Sequence, residues 1–259
     1  MVVEAALAGK ALTLLEVIAR HGECSVADLS EGSGLPFSTT HRIMQTLIDR
    51  SYVLSLGRGR YAQGPAVLRL VMAAPLRKLL ADIARPLLTA LTRKDHVHAH
   101  LGILDAEMVT YLVRCAYGLH PIASVEGAQL EPYCSAIGKV LLAYKAEGEL
   151  NAYLKDDDFV ALTPKTITTA AGLAAELCQV RQRGWAVDNE EIVMGLRCVA
   201  VPVFDAAGCV CAAISASAPV TRLPEGAEDP IRQKLRAIAD QIKARIFCGG
   251  VAEDSMPAV

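Results

Sequence analysis

Long apolar runs and paired cysteines are both absent from this sequence of 259 residues. No stretch approaches about 18 uninterrupted apolar residues, and the N-terminus lacks the charged-then-apolar pattern of a secretory signal. The eight cysteines lie among apolar neighbours, without the CxxC spacing of a zinc ribbon. These absences predict a cytoplasmic protein that has no membrane partner and keeps its thiols buried and reduced.

Recognisable catalytic motifs are also missing. There is no GxSxG nucleophile elbow, and Gly138-Lys139 is not a phosphate-binding loop because Tyr133 and Val140 replace its first glycine and its Ser/Thr. The acidic run 156–158 is more typical of a solvated turn than of a metal site. We therefore expect neither an enzyme nor a bound cofactor.

Residues 35–61 carry the strongest functional signal. In the segment LPFSTTHRIMQTLIDRSYV, Ile43 and Leu47 share the apolar stripe of a predicted helix, and polar side chains occupy its other face. Pro36 suits a first turn, and the hydroxyls of residues 38–40 are placed to cap its amides. A striped helix is usually just a packed surface helix, so its neighbours must decide whether it enters a DNA groove.

The flanking segments make this helix part of a larger unit. An amphipathic helix over 7–20 and a short helix after Ser25 precede it, and short strands at 52–54 and 60–62 follow it around a glycine-bearing tip. The order helix, helix, turn, helix, hairpin predicts a winged helix-turn-helix with double-stranded operator DNA as its partner. The residues predicted to contact DNA are Ser38, Thr39, His41, Arg42 and Gln45 on the helix, and Arg58 and Arg60 at the tip.

Charge supports DNA binding only locally. Residues 1–65 contain six basic and six acidic side chains, whereas residues 36–65 contain four arginines and one acid, Asp49. Positive charge is thus concentrated on the segment expected to meet phosphates. Because a single unit should bind weakly, useful affinity requires a dimer that reads two half-sites, roughly 34 Å or a multiple of that apart.

The remaining sequence predicts a second domain, and 53% hydrophobic residues are enough for two modest cores. Residues 66–94 are helical, with breaks or kinks at Pro75 and Pro86, and their leucine-rich faces suit packing on a second copy or on their own domain. Beyond them, hairpins alternate with helices, which predicts an α+β domain with an antiparallel sheet flanked by helices. The strands are expected at 95–105, 107–116, 122–125, 198–205 and 209–217, and the helices at 135–145, 173–183 and 229–247.

Three histidines alternate at the start of this domain. On a strand, His96, His98 and His100 would project from one face, where imidazoles bind a metal ion or hydrogen-bond a phenolic or carboxylate ligand. A partly solvated strand face is the simpler interpretation. We predict ligand contact at His98 or His100, while Cys134 and Asp188 keep a metal site open as the less favoured alternative.

A resemblance to a known family rests on four segments. They are GWAVDNEEIVMGLRCVAVPVFD (184–205), SAIGKVLLA (135–143), LTPKTIT (162–168) and AAISASAP (212–219). Through them the chain resembles the IclR family of bacterial transcriptional regulators over residues 7–247. The resemblance implies three parts, assembled as a homodimer or a dimer of dimers: a winged helix-turn-helix (1–65), a helical linker (66–94) and a GAF-like effector-binding domain (95–259).

The resemblance also implies an effector pocket. Backbone amides at the start of the helix after the central loop would hold a carboxylate, since a helix N-terminus favours an anion. Two serines that are two residues apart on a strand would face the same side of it. The predicted effector-binding residues are His98, His100, Cys134, Ser135, Ala136, Ile137, Asp188, Cys198, Ser215 and Ser217.

We therefore predict a transcriptional regulator that responds to a small carboxylate, preferably an aromatic acid of a catabolic pathway. The alternatives are a short keto acid as the effector and a DNA-binding protein without an effector. Two positions depart from the family pattern: Phe37 stands where a basic or small residue is frequent, and Ser51 where a glycine often ends the recognition helix. A left-handed helix end would cost Ser51 more than glycine, and operator preference is expected to differ.

Overall fold

The computed structural model describes residues 2–73, 75–118, 125–155 and 159–247. The chain divides into two compact units, Met1–Pro75 and Leu76–Val259. Most of the strand predicted at 122–125 and the whole acidic run 156–158 lie outside the described residues.

The first unit combines helices with a small antiparallel sheet of strand order β1-β3-β2. Its core is formed by Leu14, Ile18, Leu29, Met44 and Val53, all of them buried. This arrangement is a winged helix-turn-helix, as predicted. Its elements are α1 (Val2–His21), β1 (Cys24–Ser25), α2 (Val26–Ser33), α3 (Phe37–Asp49), β2 (Val53–Gly57), β3 (Arg60–Gln63) and α4 (Pro65–Ala73).

Local hydrogen bonds explain where α2 and α3 begin. The Ser25 hydroxyl accepts from Asp28 N (3.2 Å), and the Asp28 carboxylate accepts from Ser25 N (2.8 Å), which completes a capping box. The predicted capping of α3 by residues 38–40 is wrong. Its N-cap is Pro36, without a side-chain cap, because the three hydroxyl residues already lie inside the helix; the Thr40 hydroxyl donates to Pro36 O (3.2 Å) instead.

Ser51 adopts the left-handed conformation, with φ of 61°, just beyond α3. Its N–H donates to Ile48 O (2.8 Å), and its carbonyl accepts from Ala66 N (3.0 Å). Because this conformation costs a non-glycine residue about 1–2 kcal/mol, we expect Ser51→Gly to raise the free energy of unfolding by up to about 1 kcal/mol in urea denaturation. Ser55→Gly in strand β2 is the control and should destabilise; a loss of stability in both variants would contradict the prediction.

The second unit is an α+β domain with one six-stranded antiparallel sheet, of strand order β6-β5-β4-β9-β8-β7. Its elements are α5 (Leu76–Asp95), β4 (His98–Asp105), β5 (Met108–Cys115), β6 (Gln129–Leu130), α6 (Ala136–Ala143), α7 (Glu147–Leu154), α8 (Ala170–Arg183), β7 (Ala186–Asn189), β8 (Leu196–Phe204), β9 (Val210–Pro219) and α9 (Asp229–Phe247).

Helices cover both faces of this sheet. Side chains such as Leu101, Val199 and Ile214 point to one face and form a core with α5 and α9. The alternate positions, among them Ala200 and Ala213, face α6 and α8. The small residues on this second face leave room between the sheet and α6.

The predicted linker is divided between the two units, with α4 in the first and α5 in the second. Leu80, Ala84 and Leu88 of α5 are buried against their own sheet, which is one of the two packing arrangements that the sequence left open. The sequence predicted a break or a kink at Pro86, and the helix continues through it, which excludes the break. Apolar contacts on both sides of the proline hold the helix on the sheet. Within the described residues, no helix has the length and apolar character needed to span a membrane.

Candidate ligand pocket and nucleic-acid interface

The outer face of α3 presents most of the residues predicted to contact DNA. Ser38, His41, Arg42 and Gln45 are exposed, and Thr39 is half-buried. The inner face packs Thr40, Ile43, Met44 and Leu47 in the core, so it orients the helix. The exposed face carries the Arg42 guanidinium and the Gln45 amide, which suit base edges in a major groove.

The two arginines predicted at the hairpin tip differ in their surroundings. Arg58 is exposed, in a left-handed turn between Gly57 and Gly59. Arg60 instead donates to Glu23 O (3.0 Å) and lies 3.7 Å from the Glu23 carboxylate. Its charge is therefore partly offset within its own unit, whereas Arg58 forms no salt bridge with any residue that the structure describes.

The pocket of the second unit begins with two rows of directly opposed residues across four strands. His98, Ser217, Cys198 and Asp188 form one row. The next row holds His100 and Ser215, followed by two alanines. Since side chains on a strand alternate between faces, both rows point to the side of the sheet covered by α6.

A cavity of about 140 Å³ lies between these rows and the start of α6. Eight of the ten predicted effector residues line it, together with Tyr111 and the apolar residues Leu130, Ile192, Val193 and Leu196, which the sequence did not single out. The eight are His100, Ser135, Ala136, Ile137, Asp188, Cys198, Ser215 and Ser217.

Two predicted residues do not line this cavity. The His98 ring is buried and its Nδ1 accepts from Tyr117 N (3.2 Å). Cys134 is also buried, donates to Glu131 O (3.6 Å), and has its thiol pKa raised to about 12 by burial. Both side chains thus hydrogen-bond to the protein's own backbone.

The predicted face of three histidines is wrong for His96. This residue precedes β4, has φ of 57°, and stacks on Tyr117 with 4.5 Å between the ring centroids. The positive φ turns the chain before the strand begins and so breaks the alternation. Across the part of the chain that the structure describes, no group of three or more His, Cys, Asp or Glu side chains is arranged to hold a metal ion.

The start of α6 supplies the polar backbone of the pocket. The Ser135 hydroxyl caps the helix by accepting from Gly138 N (3.0 Å), and Ser135 N donates to Pro132 O (3.3 Å). The Ser135 amide is therefore already paired, which corrects its predicted role. The amides of Ala136 and Ile137 belong to the first turn, where no intrahelical acceptor exists, and remain for an anionic ligand.

Polar residues lie side by side in the pocket wall. Burial raises the pKa of the Cys198 thiol well above its usual value, and the neighbouring Asp188 carboxylate raises it further. Asp188 Oδ1 accepts from Glu191 N (2.7 Å). Burial nevertheless dominates and raises the pKa of the Asp188 carboxyl to about 6, which brings its ionisation close to neutral pH.

Two rings form the opposite part of the wall. His100 and Tyr111 lie 5.0 Å apart between centroids, tilted by 39°. Burial lowers the pKa of His100 to about 4, so its imidazole is neutral at physiological pH, and burial raises the pKa of Tyr111. Tyr111 reaches this face after an irregularity in register at Leu101 and Gly102, which sequence alternation alone does not reveal.

A buried ion pair supports the pocket from behind. Lys139 is 1% exposed, and its Nζ donates to Glu191 Oε1 at 2.6 Å. Glu191 Oε1 also accepts from Asn189 N (3.2 Å), and Glu191 O accepts from the Thr166 hydroxyl (2.6 Å). The pair ties α6 to the segment that holds Asp188.

Comparisons with known proteins give one matching family model in each of the two units. The family model for the IclR helix-turn-helix domain matches residues 8–56, and the model for the C-terminal part of the bacterial transcriptional regulator IclR matches residues 75–244. The HTH-type transcriptional regulator XynR of Escherichia coli is 34% identical over 233 residues, which cover 88% of this chain and 91% of that protein.

Further relatives are similar to most of this chain. The Pca regulon regulatory protein of Pseudomonas putida is 34% identical over 207 residues, which are 79% of this chain and 70% of that protein. The crystal structure of Thermotoga maritima IclR superposes with a TM-score of 0.62 at 29% identity and covers 92% of this chain and 97% of that one.

Proposed function

The chain belongs to the IclR family of bacterial transcriptional regulators, and we propose that its effector is a small carboxylate with one aromatic ring. The protein is a DNA-binding transcriptional regulator and not an enzyme. One observation carries the proposal on the effector: a single cavity combines two helix amides without an acceptor among the described residues, two aromatic rings and a buried carboxyl.

Each part of the cavity suits one part of such a ligand. The amides of Ala136 and Ile137 suit its carboxylate, because a helix N-terminus favours negative charge. The rings of His100 and Tyr111 suit an aromatic ring, and Asp188 suits a hydroxyl donor. A volume of about 140 Å³ is similar to the roughly 150 Å³ of an engineered cavity that binds benzene, so one ring fits.

A short keto acid is the second candidate. It would use the same two amides but leave the aromatic and apolar walls of this cavity without a partner. The third candidate, a DNA-binding protein without an effector, leaves the helix amides and Asp188 without a role in binding. The combination of rings and amides therefore favours the aromatic acid.

A thermal-shift series on the purified full chain tests the effector, with benzoate, hydroxybenzoates and pyruvate as probes, each with and without chelator. A ligand at about 100 times its Kd should stabilise the fold by roughly 2.7 kcal/mol. We expect a response to hydroxybenzoates that Asp188→Ala and Ser215→Ala lose. A response to pyruvate alone would select the keto acid, loss of response with chelator would restore the metal alternative, and no saturable binding would favour the effector-free protein.

The pH dependence of effector affinity should depend on Asp188. Its pKa of about 6 means that the carboxylate that accepts a ligand hydroxyl forms as pH rises from about 5 to about 7, while His100 stays neutral. Affinity for a hydroxybenzoate should therefore rise up to about tenfold over this range. Titration calorimetry is the measurement; benzoate, which lacks the hydroxyl, should not gain affinity, and Asp188→Asn should remove the dependence. Equal pH profiles for both ligands would contradict the prediction.

Arg42→Ala should weaken operator binding. An exposed arginine on α3 that pairs with a base edge contributes about 1–3 kcal/mol, or roughly tenfold to a hundredfold in Kd. Fluorescence anisotropy with operator and random DNA is the measurement. Arg58→Ala should weaken binding to both DNAs and reduce the salt slope by about 1, as expected for a phosphate contact.

The control for these variants is Arg20→Ala, which removes the same charge from α1, where Arg20 donates to Glu16 O (3.3 Å). Operator affinity that fell equally in Arg20→Ala and Arg42→Ala would reduce the effect to net charge and remove Arg42 from the base-reading residues.

We further propose that the protein responds to its effector as a homodimer or a dimer of dimers. In this assembly, residues 66–94 link the DNA-binding domain to the effector domain. The exposed leucines Leu68, Leu70, Leu76 and Leu79 support this assembly, since they offer apolar surface on α4 and α5. Coupling requires that the effector bind two arrangements of the assembly with different affinity. Sedimentation of the full chain with and without effector measures the assembly directly.

A further inference from the structure

A second cavity, of about 690 Å³, lies at the β7 edge of the sheet and shares no lining residue with the effector pocket. Val187 and Arg197 line it, whereas the neighbouring Asp188 and Cys198 line the effector pocket. Because successive residues of a strand face opposite sides, the sheet separates Val187 and Arg197 from the effector pocket. Glu191 and Lys139 extend the second cavity around the strand edge.

Two buried N–H groups of the Arg197 side chain, at the wall of this cavity, lack an acceptor among the described residues. Its side chain is 5% exposed, and its Nη2 donates to Glu228 Oε1 at 2.6 Å. Among the described residues, nothing accepts from its Nε or Nη1, and both atoms are buried. A buried donor left unpaired costs about 1–3 kcal/mol, so proteins normally provide it with an acceptor.

Glu191 has the complementary unpaired atom, a carboxylate oxygen without a donor among the described residues. Its Oε1 accepts from Lys139 Nζ (2.6 Å) and Asn189 N (3.2 Å), while its Oε2 is buried and has no donor among the described residues. One cavity wall thus needs both an acceptor, for Arg197, and a donor, for Glu191. A simple anion or a simple cation meets only one of these needs.

The charges around the cavity also balance. Four basic and four acidic side chains line it, so the wall as a whole favours neither net charge. An occupant with separated positive and negative groups suits such a wall better than an ion of one sign. The unpaired atoms are covered in this structure, so a ligand reaches them only after a shift of the Arg197 or Glu191 side chain.

We propose that this cavity is a binding site for a free α-amino acid. Its carboxylate accepts from the Arg197 guanidinium, and its ammonium donates to Glu191 Oε2. The site is separate from the effector pocket, so the protein takes two small ligands of different chemistry.

Titration calorimetry of the full chain against each of the twenty standard amino acids tests the proposal. At least one should bind saturably, and its methyl ester and its N-acetyl form, which each lack one charge, should bind at least tenfold more weakly. The same amino acid should bind unchanged to Ser215→Ala, which alters the effector pocket and not the lining of the second cavity. No saturable binding by any amino acid, or equal binding of the two blocked forms, would overturn the proposal.

Arg197→Lys provides the matched variant. It keeps a cation for Glu228 but removes the unpaired guanidinium N–H groups, so amino-acid affinity should fall at least tenfold while circular dichroism remains unchanged. Glu191→Gln removes the charge that attracts an ammonium, so amino-acid affinity should fall at least tenfold where this variant folds. Because it also leaves the buried Lys139 without its anionic partner, it should be less stable than the wild type. Should neither variant fold, the methyl ester and the N-acetyl form, measured on the unchanged protein, decide the test. Wild-type affinity in a folded variant of either kind would show that binding occurs elsewhere and overturn the assignment.

Discussion

Lys139→Met should lower the free energy of unfolding of the second unit by about 3–5 kcal/mol. The Lys139 ammonium and the Glu191 carboxylate are 2% and 5% exposed as side chains, and their atoms approach to 2.6 Å. Removing the cation leaves a buried carboxylate without its partner, and burial already raises the pKa of Glu191. Replacement of both charges at once should cost much less, because no unpaired charge remains.

Urea denaturation of three variants measures this effect. Lys165→Met is the matched control, since Lys165 pairs with Glu190 near the same loop but is 43% exposed, and exposed pairs contribute about 0–1 kcal/mol. The double variant Lys139→Met with Glu191→Gln should recover a large part of the loss. A loss below about 1 kcal/mol for Lys139→Met would show that water reaches the pair and that it does not anchor α6.

Gly138→Ala should displace the start of α6 and abolish effector binding. A Cβ at this position would lie 2.2 Å from Pro132 O and 2.3 Å from Pro132 Cα, and backbone atoms cannot rotate aside as a flexible side chain can. Overpacking of this kind typically costs about 1–3 kcal/mol. Here either the start of α6 or the loop that contains Pro132 must move. The amides of Ala136 and Ile137 precede Gly138 directly, so they move with it.

Gly148→Ala is the control for the same chemical change. Gly148 lies in α7, where an added Cβ would meet nothing within 4 Å, so the variant should be neutral or stabilised by up to about 1 kcal/mol. Thermal unfolding and effector titration measure both variants. Wild-type stability and effector affinity in Gly138→Ala would mean that the approach to Pro132 relaxes without moving the pocket.

The elements of the fold were largely predictable, because their signals are local. The four-residue spacing of Ile43 and Leu47 among polar residues predicted α3, and the glycine-bearing tip predicted the hairpin that follows it. In the second unit, α9 at Asp229–Phe247 coincides with its prediction. The sequence left a break and a kink open at Pro86, and only the structure decided for a continuous helix, since apolar contacts with the sheet hold α5 on both sides of the proline.

The pocket was predictable in composition but not in detail. Resemblance to the family indicated seven of the residues that the structure brings to one cavity, and the alternating histidines indicated the eighth, His100, whereas His98 and Cys134 bond to the protein backbone instead. The local sequence gave no sign that His96 has a positive φ or that the register shifts beside Tyr111. These features depend on how neighbouring strands pair, and pairing is not encoded within one strand.

The sequence by itself determined the type of protein: a DNA-binding regulator of the IclR family with a winged helix-turn-helix followed by an α+β domain. Periodicity, turn residues and a long signature segment carry that information because each acts over a few residues. Only the tertiary structure decided which side chains share a cavity. Register across four strands placed Asp188, Cys198 and Ser217 in one row, and packing of α6 on that row buried Lys139 against Glu191, since contacts between distant segments form only when the sheet assembles.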